Sequence, residues 1–357
     1  MRRLIKVALT LAVVLTFTLN GVGQDIHFSQ YYASPMTLNP ALTGKFNGDY
    51  RINAIYRTQW SSIVKPFFRT PALSADLSMF KGKLKGDAFG VGVYFLNDEQ
   101  NNRLFNTLKG GLSVAYHKRL DADNRTQLAL GFQIGYTQKT LDDNFIFEDQ
   151  YFDQFNTLLD EPEPTTIENL KGENETYFDV GAGLLFNTRF KDNINFYIGA
   201  SAFHINTPQE IFLVSTGNNE LPMNFVGHTG VEIKLQEKYL IIPGALLQYQ
   251  AKSKEINFGS TFGYIFSGKS EEKNTDVILF LGAWYRWKDS VIPKLGLEYK
   301  NIRVGVAYDM TVSSLKNVKN ATDSPKGKLP TAFEISLSYI GNFFMPKDDV
   351  YLFNPRY

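Results

Sequence analysis

The sequence predicts an all-β protein, a transmembrane antiparallel β-barrel of the outer-membrane type with about fourteen strands. Three observations predict it. From Asp49 onward, segments of roughly ten residues alternate apolar side chains with small, polar or charged ones. The connections between these segments are alternately short and long. A leader precedes them, and no later run is long and apolar enough for a membrane helix.

In the leader, Arg2, Arg3 and Lys6 precede an apolar run from Val7 to Leu19, and Gly21 and Gly23 fit a cleavage position before Gln24. Residues 1–23 therefore read as a signal peptide. A single membrane anchor is the other reading, but the run is short for a span and no charged stop follows it. Residues 24–48 then form an N-terminal arm, expected in the periplasm. Pro35 and Pro40 bias the residues before them away from helix, and Gly44 punctuates the end, so the arm reads as extended and kinked. Phe28, Tyr31, Tyr32, Met36 and Leu38 are too apolar for a solvated linker. They must pack on the wall of their own fold, as a plug or clasp, or on a partner.

Composition narrows the function. With 37 basic and 36 acidic residues in 357 and no long single-sign run, there is no clustered positive field for nucleic acid. The chain has no cysteine, which excludes disulfides, thiol catalysis and cysteine zinc sites. Aromatic residues at 14% and 28 glycines suit pleated sheet with close backbone approaches.

The barrel is expected over residues 49–343. Its clearest strand puts Leu128, Leu130, Phe132, Ile134 and Tyr136 on one face and Gln127, Ala129, Gly131, Gln133, Gly135 and Thr137 on the other. Between Tyr177 and Asn187 the same pattern sets Phe178, Val180, Ala182, Leu184 and Phe186 against Tyr177, Asp179, Gly181, Gly183, Leu185 and Asn187. The same count gives windows 49–60, 70–80, 86–97, 104–118, 125–138, 175–189, 193–204, 223–234, 239–251, 255–266, 275–287, 291–300, 302–313 and 333–343. An even number lets both chain ends lie on one side of the membrane. The longest connections, 139–174, 205–222 and 314–332, are all odd-numbered, as external loops are, whereas 81–85, 119–124, 190–192 and 235–238 suit periplasmic turns. Tyr50, Trp60, Phe95, Tyr136, Tyr264, Trp284, Trp287 and Tyr299 near strand ends suit interfacial girdles. A soluble sandwich also alternates, but a face of Gly, Ala, Ser, Asn and Tyr with scattered charge fits a lumen better. Residues 344–357 are too polar for a strand in lipid and read as a periplasmic tail.

Nothing points to catalysis, a cofactor or a metal. His27, His117, His204 and His228 lie in no zinc-binding spacing and read as structural. There is no nucleophile elbow, P-loop or dinucleotide fingerprint, so a hydrolase would need a Ser-His pair that meets only in space. The loop 141–174 is acidic but lacks the calcium-loop spacing. Its Phe145, Phe147, Tyr151, Phe152 and Phe155 suit contact with another protein, or folding back into the barrel mouth.

Several motifs carry a resemblance. Phe28-Ser29-Gln30-Tyr31 and Asn39-Pro40-Ala41 follow the leader directly, and His204-x-Asn206-x-Pro208 follows the seventh strand. Leu297 to Gly305 with Tyr308-Asp309, the closing strand Phe333–Tyr339 and the terminal Pro355-Arg356-Tyr357 complete the set. In these the chain resembles the PorP/SprF proteins of the bacterial type IX secretion and gliding machinery, over Phe28 to Tyr357. The resemblance implies a non-enzymatic protein of the cell outer membrane, embedded in its lipids, that helps export large surface proteins such as gliding adhesins and holds them at the cell surface. Its implied partners are those exported proteins and periplasmic lipoprotein and peptidoglycan-binding components of the machinery. The candidate contact residues are Phe28, Gln30, Tyr31, Asn39 and Pro40 in the arm, Phe147, Tyr151, Phe152, His204, Asn206 and Pro208 in the loops, and Arg356 and Tyr357 in the tail. The alternative is a pore or transporter for small solutes, its selectivity tuned by lumen residues such as Arg51, Arg57, Glu232, Glu298 and Arg303.

Overall fold

In the computed structural model, the described residues are 25–62, 67–84, 86–100, 103–142, 174–210, 220–266, 277–313 and 331–343. Fourteen antiparallel strands form a closed barrel. They are β1 (Tyr50–Gln59), β2 (Phe68–Leu84), β3 (Asp87–Gln100), β4 (Phe105–Arg119), β5 (Thr126–Leu141), β6 (Asn174–Lys191) and β7 (Ile194–Phe203), then β8 (Asn224–Leu235), β9 (Tyr239–Gln250), β10 (Ser253–Phe266), β11 (Val277–Arg286), β12 (Ser290–Tyr299), β13 (Ile302–Thr311) and β14 (Thr331–Gly341). Each pairs with its sequence neighbours, and β1 pairs with β14 from Tyr50 opposite Gly341 to Gln59 opposite Ala332, so no edge remains. Every expected strand window falls on one of them.

The alternation decides which face each side chain takes. Leu128, Leu130, Phe132, Ile134 and Tyr136 stand exposed on the outside, as do Phe178 and Leu184, while Ala129, Gln133, Thr137, Asp179 and Leu185 are buried inside. With a barrel sealed by its own hydrogen bonds, that outer apolar belt is what lipid requires. Trp284 departs from expectation. It faces inward at 2% exposure, edge-on to the Tyr31 ring, because its neighbours Ala283 and Tyr285 take the outer positions of β11. Trp60, Trp287 and Tyr299 stay near strand ends, where Trp60 meets Phe68 and Trp287 meets Phe258.

The two barrel ends differ. At one, β6 and β7 are joined by residues 192–193, β8 and β9 by 236–238, and β12 and β13 by 300–301. At the other lie the connections 142–173, 204–223 and 312–330. A barrel of this strand number encloses more space than its own side chains fill. Here residues 25–49 occupy that space.

Candidate functional site

The arm is the feature around which the inner wall is built. It was expected to be extended; instead it makes three helical turns, Tyr31–Ala33, Pro35–Leu38 and Pro40–Leu42. Pro35 and Pro40 each open a turn, since the first helical position needs no N–H and suits the fixed proline φ. Asn39, before Pro40, is extended, and its side chain accepts from the Ala41 N–H.

The arm descends the full depth of the lumen. At the end with the long connections, Asp25 N–H donates to Gln250 at 2.8 Å, and its carboxylate meets His204 Nε2 at 2.6 Å and Asn224 Nδ2 at 2.9 Å. His204 Nδ1 lies 2.9 Å from Asp179, which pairs with Lys109 at 3.2 Å. Burial alone would lower the His204 pKa, but the hydrogen bonds to Asp179 and Asp25 outweigh it and raise the pKa above its ordinary value. One level down, His27 meets Glu255 at 3.1 Å and its carbonyl accepts from Arg57.

Next comes a clamp of buried charge. The Glu334 carboxylate accepts from the backbone N–H of Ser29 at 2.7 Å and of Gln30 at 2.8 Å. Ser29 Oγ donates to Asp309 at 2.7 Å, Asp309 pairs with Arg286 at 2.8 Å, and Lys294 donates to the Ser29 carbonyl at 2.7 Å. Lys294 also lies 4.3 Å from the Trp284 ring centroid. Paired in this way, the charges escape the penalty of lone burial.

Below the clamp the arm packs by shape. Met36, Leu38, Ala41, Leu42 and Phe46 are almost wholly buried. Gly131 lies under the Pro40–Ala41 peptide and Gly183 under the Asn39 amide, and a Cβ at either would overlap those atoms. Asn39 Nδ2 reaches the Leu184 carbonyl at 3.0 Å and His228 at 3.0 Å, and Ser201 Oγ donates to the Leu38 carbonyl at 2.7 Å. Thr43 pairs with Ser113 and, through its carbonyl, with His117, and Gly44 N–H donates to Asp76 at 2.7 Å. Lys45 reaches Gln127 and Asn187 near the short turns, where Asp49 N–H joins the Gly341 carbonyl at 2.8 Å.

Of the expected contact residues, Phe28, Gln30, Tyr31, Asn39 and Pro40 are thus gathered inside the barrel. These residues make the contact with the barrel's own wall that is one of the two roles foreseen for the arm. His204 is buried at the mouth, Pro208 is buried, and exposed Asn206 bonds the backbone of Phe178 and Val180 on β6. Phe147, Tyr151, Phe152, Arg356 and Tyr357 lie outside the described residues. Sequence reasoning missed Asp25, Lys45, Asp179, Arg286, Lys294, Asp309 and Glu334. For the five on strands the signal was charge at inward positions, where ionisable groups are rare unless paired, whereas Asp25 and Lys45 lie in the arm and carried no such signal. All four histidines have hydrogen-bonding or ionic partners. Among the described residues no group of His, Asp and Glu has a metal-holding arrangement.

The fold resembles solved outer-membrane channels. The monoaromatic hydrocarbon channel TodX, in a deletion mutant, matches with a TM-score of 0.50 at 9% identity over 86% of this chain and 94% of that one. The Ralstonia pickettii toluene transporter TbuX matches at 0.48 and 11% over 90% and 96%, and the Pseudomonas putida toluene transporter TodX at 0.49 and 10% over 90% and 96%. At such identities the likeness concerns architecture alone. Comparison with curated proteins gave no match. The sequence profile of the family described as type IX secretion system membrane protein PorP/SprF, by contrast, matches residues 20–339, nearly the whole barrel with its arm. The chain is therefore an outer-membrane β-barrel that belongs to the PorP/SprF family of type IX secretion system membrane proteins.

Proposed function

We propose that this barrel works by binding rather than by conduction, assisting the export of large surface proteins and anchoring them at the cell surface. The observation that carries this reading is the filled lumen. The arm is bonded to the wall from Asp25 at one mouth to Asp49 at the other, and the charged lumen residues Arg51, Arg57 and Arg303, which would tune a pore, are engaged with Asp76, Glu334 and Glu298. Family membership supplies the pathway. In this reading the long-connection end meets the exported protein and the short-turn end meets periplasmic components of the machinery. The chemistry is that of recognition.

The test pairs two measurements on the full-length tagged protein. Gentle detergent purification from the native envelope is expected to recover periplasmic machinery components together with a large surface protein, and reconstituted liposomes are expected to show no steady conductance. Recovery of the barrel alone, with sustained conductance, overturns the reading in favour of a solute pore.

A further inference from the structure

We infer that the arm is threaded outward: it enters the barrel from the periplasmic mouth at Asp49 and delivers its upstream end to the cell-surface mouth at Asp25, so the surface offered to an exported partner includes the Asp25 end of the arm. The inference rests on the reading that the long connections face the exterior, and its test separates the two.

The direction follows from the order of contacts. Asp49 joins Gly341 at the end of β14, and Lys45 reaches Gln127 and Asn187, all at the end with the short turns. Asn39 lies at mid-depth beside Leu184 and Ala200. Ser29 lies higher, at Asp309 and Glu334. Asp25 meets Gln250, the last residue of β9, Asn224, the first of β8, and His204, the first residue after β7. Those three positions ring the mouth that carries the connections 142–173 and 312–330, which in outer-membrane barrels is the external one.

Asp25, half-buried, sits in that mouth between His204 and Asn224. A protein that touches Asp25 therefore approaches from the cell surface, whereas a periplasmic protein meets the barrel at the short turns and around Asp49.

The absence of cysteine makes this directly testable. A Ser-Cys-Ser insertion between Gln24 and Asp25 is compared with Lys288→Cys, in the β11–β12 connection, and Asp192→Cys, in the β6–β7 turn, both exposed and remote from the arm. Intact cells are treated with a membrane-impermeant maleimide. The insertion and Lys288→Cys are expected to label equally, while Asp192→Cys labels only after the outer membrane is permeabilised. Asp25→Cys, which adds no residues, is expected to follow the insertion. Labelling of the insertion only with Asp192→Cys, or only after denaturation, overturns the inference. A reactive Asp192→Cys with a silent Lys288→Cys overturns instead the assignment of sides on which it rests.

Discussion

The two halves of the arm are held in different ways. From Asp25 to Gln30 the grip is electrostatic: carboxylates on β13 and β14 hold main-chain and hydroxyl groups, and Arg57, Arg286 and Lys294 balance them. From Pro35 to Gly44 the grip is mainly steric, with mostly neutral hydrogen bonds and the one carboxylate of Asp76 on the Gly44 N–H: near-wholly buried Met36, Ala41 and Leu42 lie over a glycine-lined wall. The difference teaches where the arm can give. A charged clamp answers to pH and loses much of its hold when one partner is lost, while close packing answers to volume and is nearly indifferent to salt.

The largest effect is expected from Glu334→Ala. It strands two buried N–H groups and leaves Arg57 short of its carboxylate, a loss of about 3–5 kcal/mol in line with a broken buried pair. Hydrogen exchange should then rise at Ser29 and Gln30 while Leu38 to Thr43 stay protected; equal exposure of both halves would show that the arm moves as one body. Gly131→Val tests the other grip. It should cost about 1–3 kcal/mol or more, read as a lowered urea midpoint in detergent, with the deficit unchanged by salt. A deficit that salt abolishes would erase the distinction between the halves.

The Asp25 latch should be sensitive to pH. Because the folded-state His204 pKa is raised, the stabilisation is fully present below its unfolded value of about 6.5 and is lost as pH rises through the folded value. Proteolysis near Asp25 should quicken as pH rises from 6 until the imidazolium loses its proton, and His204→Ala should flatten that profile; a wild-type profile with no such rise at any pH at which the barrel stays folded would remove His204 from the latch. Ser29→Ala should have the smallest effect. It deletes one hydroxyl between Asp309 and Arg286 that still bond each other, a loss of about 1–2 kcal/mol that a urea midpoint resolves.

Much of this architecture is legible in the chain, and the reasons are local. A membrane strand must alternate, so Leu128 to Thr137 declares both faces without reference to any neighbour. The arm is legible as apolar and proline-marked, and Arg51, Arg57, Glu298 and Arg303 as lumen residues. What holds the arm was not legible, because Ser29 and Glu334 are 305 residues apart and meet only through barrel closure. Trp284 shows the same limit on a smaller scale: its type suits an interface, but its parity along β11 puts it inside. The descent of the arm from mouth to mouth depends on the order of those distant contacts.

One consequence of the β1–β14 seam concerns assembly. The strands made last carry Asp309 and Glu334, whose ligands are Ser29 and Gln30, among the first residues of the arm. The end of the chain thus inspects its beginning. A barrel that closes without the arm seated leaves Glu334 and Asp309 with their wall partners Arg57 and Arg286 alone, so the grip on Ser29 and Gln30 is complete only once β14 has met β1 around the seated arm.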